Sequence, residues 1–202
     1  MKGLNFPRNG KLYHLTRELL INLNRDLMDI SSKVERVAYI FDDFDYLVMA
    51  LEDRRYLKHR GVDLRSVFRE TLKMLTLHKH GGASTIDMQM VRTLTNYREL
   101  TFKRKLYEII LALLVNFRFS KNQIMKCYMD NAFFGSHLIG ITKACMAEYG
   151  KNLDDTSYQE KSRLAAMLLK PRPKTPTDEW RLAVESRAIY AQSMRSRVKE
   201  SS

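Results

Sequence analysis

A chain of 202 residues that is 45% hydrophobic and 29% charged is long enough to bury one sizeable core, which excludes an intrinsically disordered protein. Eight Gly and four Pro are too few for the frequent turns of an all-β sandwich, so long helices joined by short loops are expected. The 35 Lys and Arg against 23 Asp and Glu leave a formal charge of +12, which favours anionic partners such as charged polymers, phosphates or the acidic face of a membrane.

Two cysteines, Cys127 and Cys145, are too few for a disulfide scaffold or a structural zinc and read as small buried apolar residues. The best apolar run, Ile109 to Val115, is seven residues long and follows Glu108. A bilayer span needs roughly 18, so a membrane-spanning anchor is not expected. The first ten residues lack the apolar stretch of a signal peptide, and any action on a membrane is expected to come from the side.

In chain order, Leu12, Leu15, Leu19, Leu20, Leu23 and Leu27 recur at spacings of three and four, which predicts an amphipathic helix over 11–30 with Arg17, Arg25 and Asp26 on its wet side. Residues 34–50 mix apolar positions with Asp42, Asp43 and Asp45 and fit a short helix running into Leu51 and Glu52. Residues 62–77 read as a helix capped by Asp63, with His78, Lys79 and His80 near an end set by Gly81 and Gly82. Ser84 and Thr85 can cap a helix through Ile86, Met90, Val91 and Leu94, and another runs from about Thr101 to Phe117. Ser120 and Gln123 stand three apart as a capping box for the next helix. Gly135 and Gly140 bracket a turn, 141–149 and 158–169 are helical, and Pro171, Pro173 and Pro176 end the last of these before a basic helix over 178–198. Neither a repeat nor a composition break divides the chain, so 1–202 reads as a single domain.

Three segments concentrate reactive side chains. From Glu52 to Arg60 there are two carboxylates, four cations and His59; on a continuous helix Glu52 and Arg55 would share a face, and a solvated, salt-bridged helix end is the plain alternative. Gly81 to Gln89 sets glycines and hydroxyl residues before a helix, where backbone N–H groups meet anions or simply cap the helix, and it lacks the lysine spacing of a P-loop. In the segment from Lys103 to Glu108, Arg104 and Glu108 are four apart on one helical face, next to an apolar run in which a carboxylate must be paired or neutralised.

Taken in order, the segments Leu-Glu-Asp-Arg-Arg-Tyr-x-x-His-x-Gly-Val-Asp, Gly-Ala-Ser-Thr-Ile-x-Met-Gln, Arg-Lys-x-x-Glu, Ser-Lys-x-x-Ile-x-x-x-Tyr with Phe134 and Gly135, and Leu164-Ala-Ala before the prolines closely resemble the five motifs of the peptidoglycan glycosyltransferases. That family comprises the monofunctional glycosyltransferases and the glycosyltransferase domains of class A penicillin-binding proteins, and the likeness runs from about Leu51 to Pro176. It implies a mainly α fold, a lysozyme-like helical head with a small membrane-facing jaw, and polymerisation of the lipid-linked disaccharide lipid II into β-1,4 glycan strands with inversion.

Residue by residue, Glu52 matches the family's catalytic glutamate, a general base for the acceptor hydroxyl, with Asp53 and His59 supporting it. Glu108 matches the second glutamate, near the donor. Arg104, Lys105 and Arg92 would offset the donor pyrophosphate, and Ser84, Thr85 and Gln89 match the polar loop lining the donor site. The resemblance requires no cofactor and leaves room for a divalent cation, Mg or Mn, at the diphosphate, although no ligand cluster demands a metal. It implies lipid II or a similar undecaprenyl-pyrophosphate-linked glycan and an anionic membrane surface as partners, no nucleic acid, and a peripheral place at the bacterial cytoplasmic membrane, with the face left open.

The departures are Met88 in place of a glutamine, Asp130 in place of an asparagine, Tyr56 in place of a phenylalanine, and Arg98, which fits its motif only with a two-residue shift. The alternatives are a polymerase for another lipid-linked glycan or compartment, and a non-catalytic homologue that binds lipid II or a partner. The membrane contact is expected from Leu72 to Met90 and from the first helix, at about 1 kcal/mol for each basic residue near an anionic surface.

Overall fold

The computed structural model describes residues 10–75, 84–95 and 101–199. Among these the chain is mainly α, with helices α1 (Lys11–Lys33), α2 (Asp43–Glu52), α3 (Leu64–Leu75), α4 (Ile86–Thr95), α5 (Phe102–Arg118), α6 (Lys121–Asn131), α7 (Ile141–Tyr149), α8 (Tyr158–Leu169) and α9 (Asp178–Lys199). A two-stranded antiparallel hairpin, β1 (Phe133–Gly135) and β2 (Leu138–Ile139), separates α6 from α7. His78, Lys79, His80, Gly81, Gly82 and Arg98 lie outside the described residues.

Two central helices organise one core. In α2 the run Phe44, Leu47, Val48, Met49 and Ala50 is almost wholly shielded from water, as expected of a helix apolar on all sides, and it packs between α8 and α9. It starts at Asp43 because Asp42 and Asp45 form a reciprocal capping box, and 34–42 lie outside any helix. Helix α4 lies between α5 and α6 and buries Ile86, Met88, Met90 and Val91. Cys127 and Cys145 are free and buried.

Caps set the other boundaries. Asp63 accepts from the Arg65 amide at 3.1 Å and the Ser66 hydroxyl at 2.7 Å to begin α3, and Ser120 and Gln123 form the box that begins α6. The hairpin went unread as strands because elements of two and three residues are too short to show alternation. It holds the proline segment: the Arg172 amide donates to the Phe134 carbonyl at 2.7 Å, and the Ser136 amide donates back to the Arg172 carbonyl at 2.9 Å. A Cβ on Gly135 would collide with the Arg172 backbone, so this approach needs glycine.

Three expectations are corrected. Asp26 is not on the wet side of α1; it is buried, and the Tyr107 hydroxyl of α5 donates to it at 2.7 Å. The leucine stripe is buried only in its second half, at Leu23 with Ile30 and Val34, whereas Leu15, Leu20 and Ile21 are exposed. Ile86, Met88 and Met90 belong to the core, so the α4 end of the span from Leu72 to Met90 supplies no membrane surface. Helix α5 exposes Phe102 (85%) and Phe117 (92%), with Leu106 and Leu113 between them on the same face. No helix among the described residues is long and apolar enough to cross a membrane.

Candidate active site

Glu52 is the last residue of α2. Burial pushes its carboxyl above the ordinary glutamate value, the Gln89 amide pulls it back, and neighbouring Asp53 pushes it up again. The negative end of the α2 dipole acts in the same direction as the burial. Gln89 Nε2 donates to Glu52 Oε2 at 2.7 Å, and the Tyr128 hydroxyl of α6 donates to Gln89 Oε1 at 2.8 Å, so the carboxylate is held by a chain of fixed dipoles.

The chain breaks helix directly after Glu52. Asp53 is the C-cap residue and turns its carboxylate towards α4: Oδ2 accepts from the Ile86 amide at 3.2 Å and lies 2.9 Å from His59 Nε2. A carboxylate at the N-terminus of α4 is favoured by that helix's dipole, and the contact joins the end of α2 to the start of α4. Arg55 therefore shares no helical face with Glu52; it lies past the break and pairs with Asp63 at 3.1 Å. Thr85 is buried, donates to the Gly61 carbonyl at 2.6 Å and accepts from the Met88 amide at 3.3 Å, so its hydroxyl is fully engaged in starting α4.

One turn along α4 from Gln89, Arg92 reaches the second carboxylate. Glu108 is completely buried on α5, with Arg92 Nε at 3.0 Å, Arg104 Nε at 3.5 Å and Lys105 Nζ at 4.0 Å. Three cations around one carboxylate leave a local excess of two positive charges. Arg104 Nε and Glu108 Oε2 are buried without a hydrogen-bond partner among the described residues. Ser84 Oγ accepts from Lys105 Nζ at 2.9 Å and from Arg92 Nη2 at 3.2 Å. Burial lowers the Lys105 ammonium from its usual value, Glu108 raises it, and Arg92 and Arg104 lower it further.

The two halves meet at Ser84. A cleft of about 360 Å3 is lined by Glu52, Asp53, Ser84 and Thr85, with Arg69 of α3 and Arg197 of α9 also on its walls. Arg92, Arg104 and Lys105 stand behind Ser84 rather than on that lining. The fold thus brings every site residue expected from the sequence into one connected set: Glu52, Asp53, His59, Ser84, Thr85 and Gln89 around the cleft end of α2 and α4, and Arg92, Arg104, Lys105 and Glu108 one turn on. That Tyr128 of the fourth segment bonds Gln89, and that α9 lines the cleft, could not be read from motif spacing, because both depend on how distant helices pack.

Among the described residues, the His, Cys, Asp and Glu group with metal-ligand proximity is Asp53, His59 and Asp87. Asp87 already accepts from Lys121 Nζ at 2.8 Å and Asn116 Nδ2 at 2.8 Å, so an ammonium holds that position. At the Glu108 cluster the single carboxylate faces three cations. Neither place offers a donor set that fits a divalent ion.

The departures from the family pattern have structural consequences. Met88 is fully buried and adds nothing polar to the cleft. Asp130 pairs with Lys126 at 2.8 Å and Tyr56 sits in the core, its hydroxyl donating to the Lys121 carbonyl at 2.8 Å.

Residues 24–195 match the Transglycosylase family. The chain is 33% identical to penicillin-binding protein 1A of Pseudomonas aeruginosa over 143 residues, covering 70% of this chain and 17% of that protein. It is 32% identical over 147 residues to a protein named as a transglycosylase from Cupriavidus necator, covering 73% of this chain and 64% of the relative. It is 29% identical over 169 residues to penicillin-binding protein 2a of Streptococcus pneumoniae, covering 84% of this chain and 21% of that protein. The chain therefore spans about a fifth or less of these penicillin-binding proteins and under two thirds of the Cupriavidus protein. With this match running from Glu52 through Glu108 and on to Tyr128, the chain belongs to the transglycosylase family, that of the peptidoglycan glycosyltransferase domains.

Proposed function

We propose that this chain is a peptidoglycan glycosyltransferase that polymerises lipid II, a lipid-pyrophosphate-linked disaccharide, into β-1,4 glycan strands with inversion. The observation that carries the reading is the adjacency on α4: Gln89 holds the Glu52 carboxylate, and three residues on, about 4.5 Å of helix rise, Arg92 holds the Glu108 cation cluster. A carboxylate and a cation cluster joined through one helix supply the two groups, a base and a charge sink, that transfer between two lipid-linked sugars requires.

In the proposed step, Glu52 takes the proton of the acceptor 4-hydroxyl as its oxygen attacks the donor anomeric carbon. The bond from that carbon to the pyrophosphate oxygen breaks on the opposite face, which inverts the centre. Arg92, Arg104 and Lys105 take up the charge of the departing pyrophosphate, with Arg104 Nε available as a donor in a water-poor setting. Glu108 acts by holding these cations together. Asp53 and His59 fix the turn that presents Glu52.

The same reading includes a lysozyme-like head with a smaller membrane-facing jaw, and a peripheral position at the bacterial cytoplasmic membrane. The exposed apolar residues of α1 and α5, together with the +12 charge, support it. Retention on anionic vesicles should fall in high salt, and retention unchanged by salt refutes the charge-based part.

The decisive experiment is labelled lipid II with the purified chain and with Glu52→Gln. Polymer with the parent and none with the variant supports the reading. Binding without polymer by both selects a non-catalytic homologue, and turnover only with another lipid-linked glycan selects the divergent polymerase.

A further inference from the structure

A second opening, of about 280 Å3, lies between α7, α8 and α9, and no residue of the site around Glu52 or Glu108 lines it. It borders the packing behind the base. Leu51, the neighbour of Glu52, lines the cleft and packs with Trp180 against Ala166, Val184 and Ala188. Val184 and Trp180 in turn line the second opening, where buried Met167 joins them. The volume lies at the lower edge of small-ligand sites, which run from roughly 300 to 1,000 Å3.

Its walls are set before any ligand arrives. The half-buried Trp180 ring is held at its edge, where Nε1 donates to the Lys170 carbonyl at 3.0 Å. Opposite charges are paired: Arg163 Nε donates to Glu185 Oε2 at 2.6 Å, and Arg172 Nε donates to Glu148 Oε2 at 2.7 Å. A carboxylate can accept about four hydrogen bonds and a guanidinium donate about five, so each pair keeps groups for a ligand. Burial, and then Glu148, pushes the Tyr149 hydroxyl up to about 12, so it stays a donor at neutral pH. Arg181 stands exposed at the rim with no side-chain partner among the described residues. Three cations gather on Glu108, whereas here each carboxylate has its own guanidinium, which favours a neutral, hydroxyl-rich ligand over phosphate. A sugar ring has the matching shape: an apolar C–H face for the indole, Met167 and Val184, and a polar edge for the paired charges.

We propose that the pocket between α7, α8 and α9 is a saccharide-binding subsite, in which Trp180 stacks on one neutral N-acetylhexosamine unit of a β-1,4 glycan while Glu148, Glu185 and Arg181 bond its polar edge. The kind of sugar rests on the glycosyltransferase reading, whose product is such a strand; a site for a neutral sugar rests on the pocket alone. Holding a strand at a second place raises its effective concentration at the cleft between transfers.

Trp180 is the one tryptophan of the chain, so tryptophan emission reports this pocket directly. The experiment titrates the β-1,4-linked N-acetylglucosamine tetramer onto the full chain, with maltotetraose, an α-1,4 glucose chain, as the control. A saturable change in emission is expected with the first and none with the second. Arg181→Ala and Glu185→Gln should each weaken binding roughly three- to tenfold, the loss of one hydrogen bond to a charged group. Both side chains reach the surface, so both variants should unfold within about 4 °C of the parent. Affinity should be unchanged in Glu52→Gln, and an equal loss there would move the binding to the cleft and overturn the subsite. Emission unmoved up to about 10 mM tetramer, an equal response to maltotetraose, or affinity unchanged in both Arg181→Ala and Glu185→Gln also overturns it. Tetramer binding by a chain that does not polymerise lipid II overturns the glycosyltransferase reading and leaves the sugar site. Polymerisation without tetramer binding overturns the site and leaves the reading.

Discussion

Replacing Glu108 by Gln keeps the shape of the side chain and removes the charge that holds three cations together. Glu108 is fully buried, with Arg92 at 3.0 Å, Arg104 at 3.5 Å and Lys105 at 4.0 Å. Removing one partner of a buried charge cluster costs about 3–5 kcal/mol. The Arg92 and Lys105 side chains are 37% and 30% exposed, so water screens part of the repulsion left behind, while Arg104 at 11% is not relieved in this way. A net loss near the lower end, about 3 kcal/mol, is expected, which for a chain of this length lowers Tm by about 6–12 °C. The assay is thermal unfolding with and without inorganic pyrophosphate, which should stabilise the variant more than the parent by supplying the missing negative charge. Polymer formation should fall roughly a hundredfold, the usual cost of disturbing a charge-stabilising group. Arg104→Gln should also destabilise less in the Glu108→Gln background than alone, since the two act through one interaction. A Tm within about 2 °C of the parent, or additive losses in the double variant, would refute the claim that Glu108 organises the cluster.

Three further outcomes are expected. Burial pushes the Asp45 carboxyl up to about 7 even though Tyr39 Oη donates to it at 2.9 Å and the Asp42 amide at 2.9 Å. The folded state therefore keeps a proton that the unfolded chain releases between about pH 4 and 7, and stability should fall as pH rises through that window, by at most about 4 kcal/mol. Denaturant titrations from pH 4 to 8 should show this slope in the parent and a flatter profile in Asp45→Asn. Gln89→Leu removes the donor that stabilises ionised Glu52, so the acid limb of kcat/KM should move to higher pH; an unmoved limb argues against Glu52 as the titrating base. Gly61 has φ +81°, and a Cβ there would meet the Ala112 carbonyl oxygen at 2.7 Å, so Gly61→Ala should cost about 1–3 kcal/mol in denaturant unfolding. At Gly150, where a Cβ would meet nothing within 4 Å, the same change should cost about 1 kcal/mol or less.

Local chemistry was readable from the residues alone where its cause is local. Asp63, Thr85 and Ser120 start α3, α4 and α6 because a side-chain oxygen three or fewer residues away meets a free amide, and that depends on nothing else in the fold. The Arg104–Glu108 pairing follows from helical periodicity in the same way. The errors arose where packing decides. Asp26 stands at a position that periodicity assigns to solvent, yet α5 brings a hydroxyl to it; Met90 looks available for a membrane, yet α4 is enclosed by α5 and α6.

The order of the five motifs was enough to mark the family and to pick out the segments around Glu52 and Glu108, because each motif is a short stretch whose residue types and spacing are local to the sequence. Only the tertiary structure decided that Glu52 ends its helix and that Arg55 turns away to Asp63. It also decided that Gln89 and Arg92 join the two halves through one helix and that α9 closes the cleft with Arg197. Those relations join residues far apart in the chain, and side-chain burial between packed helices, which sequence periodicity does not encode, sets them.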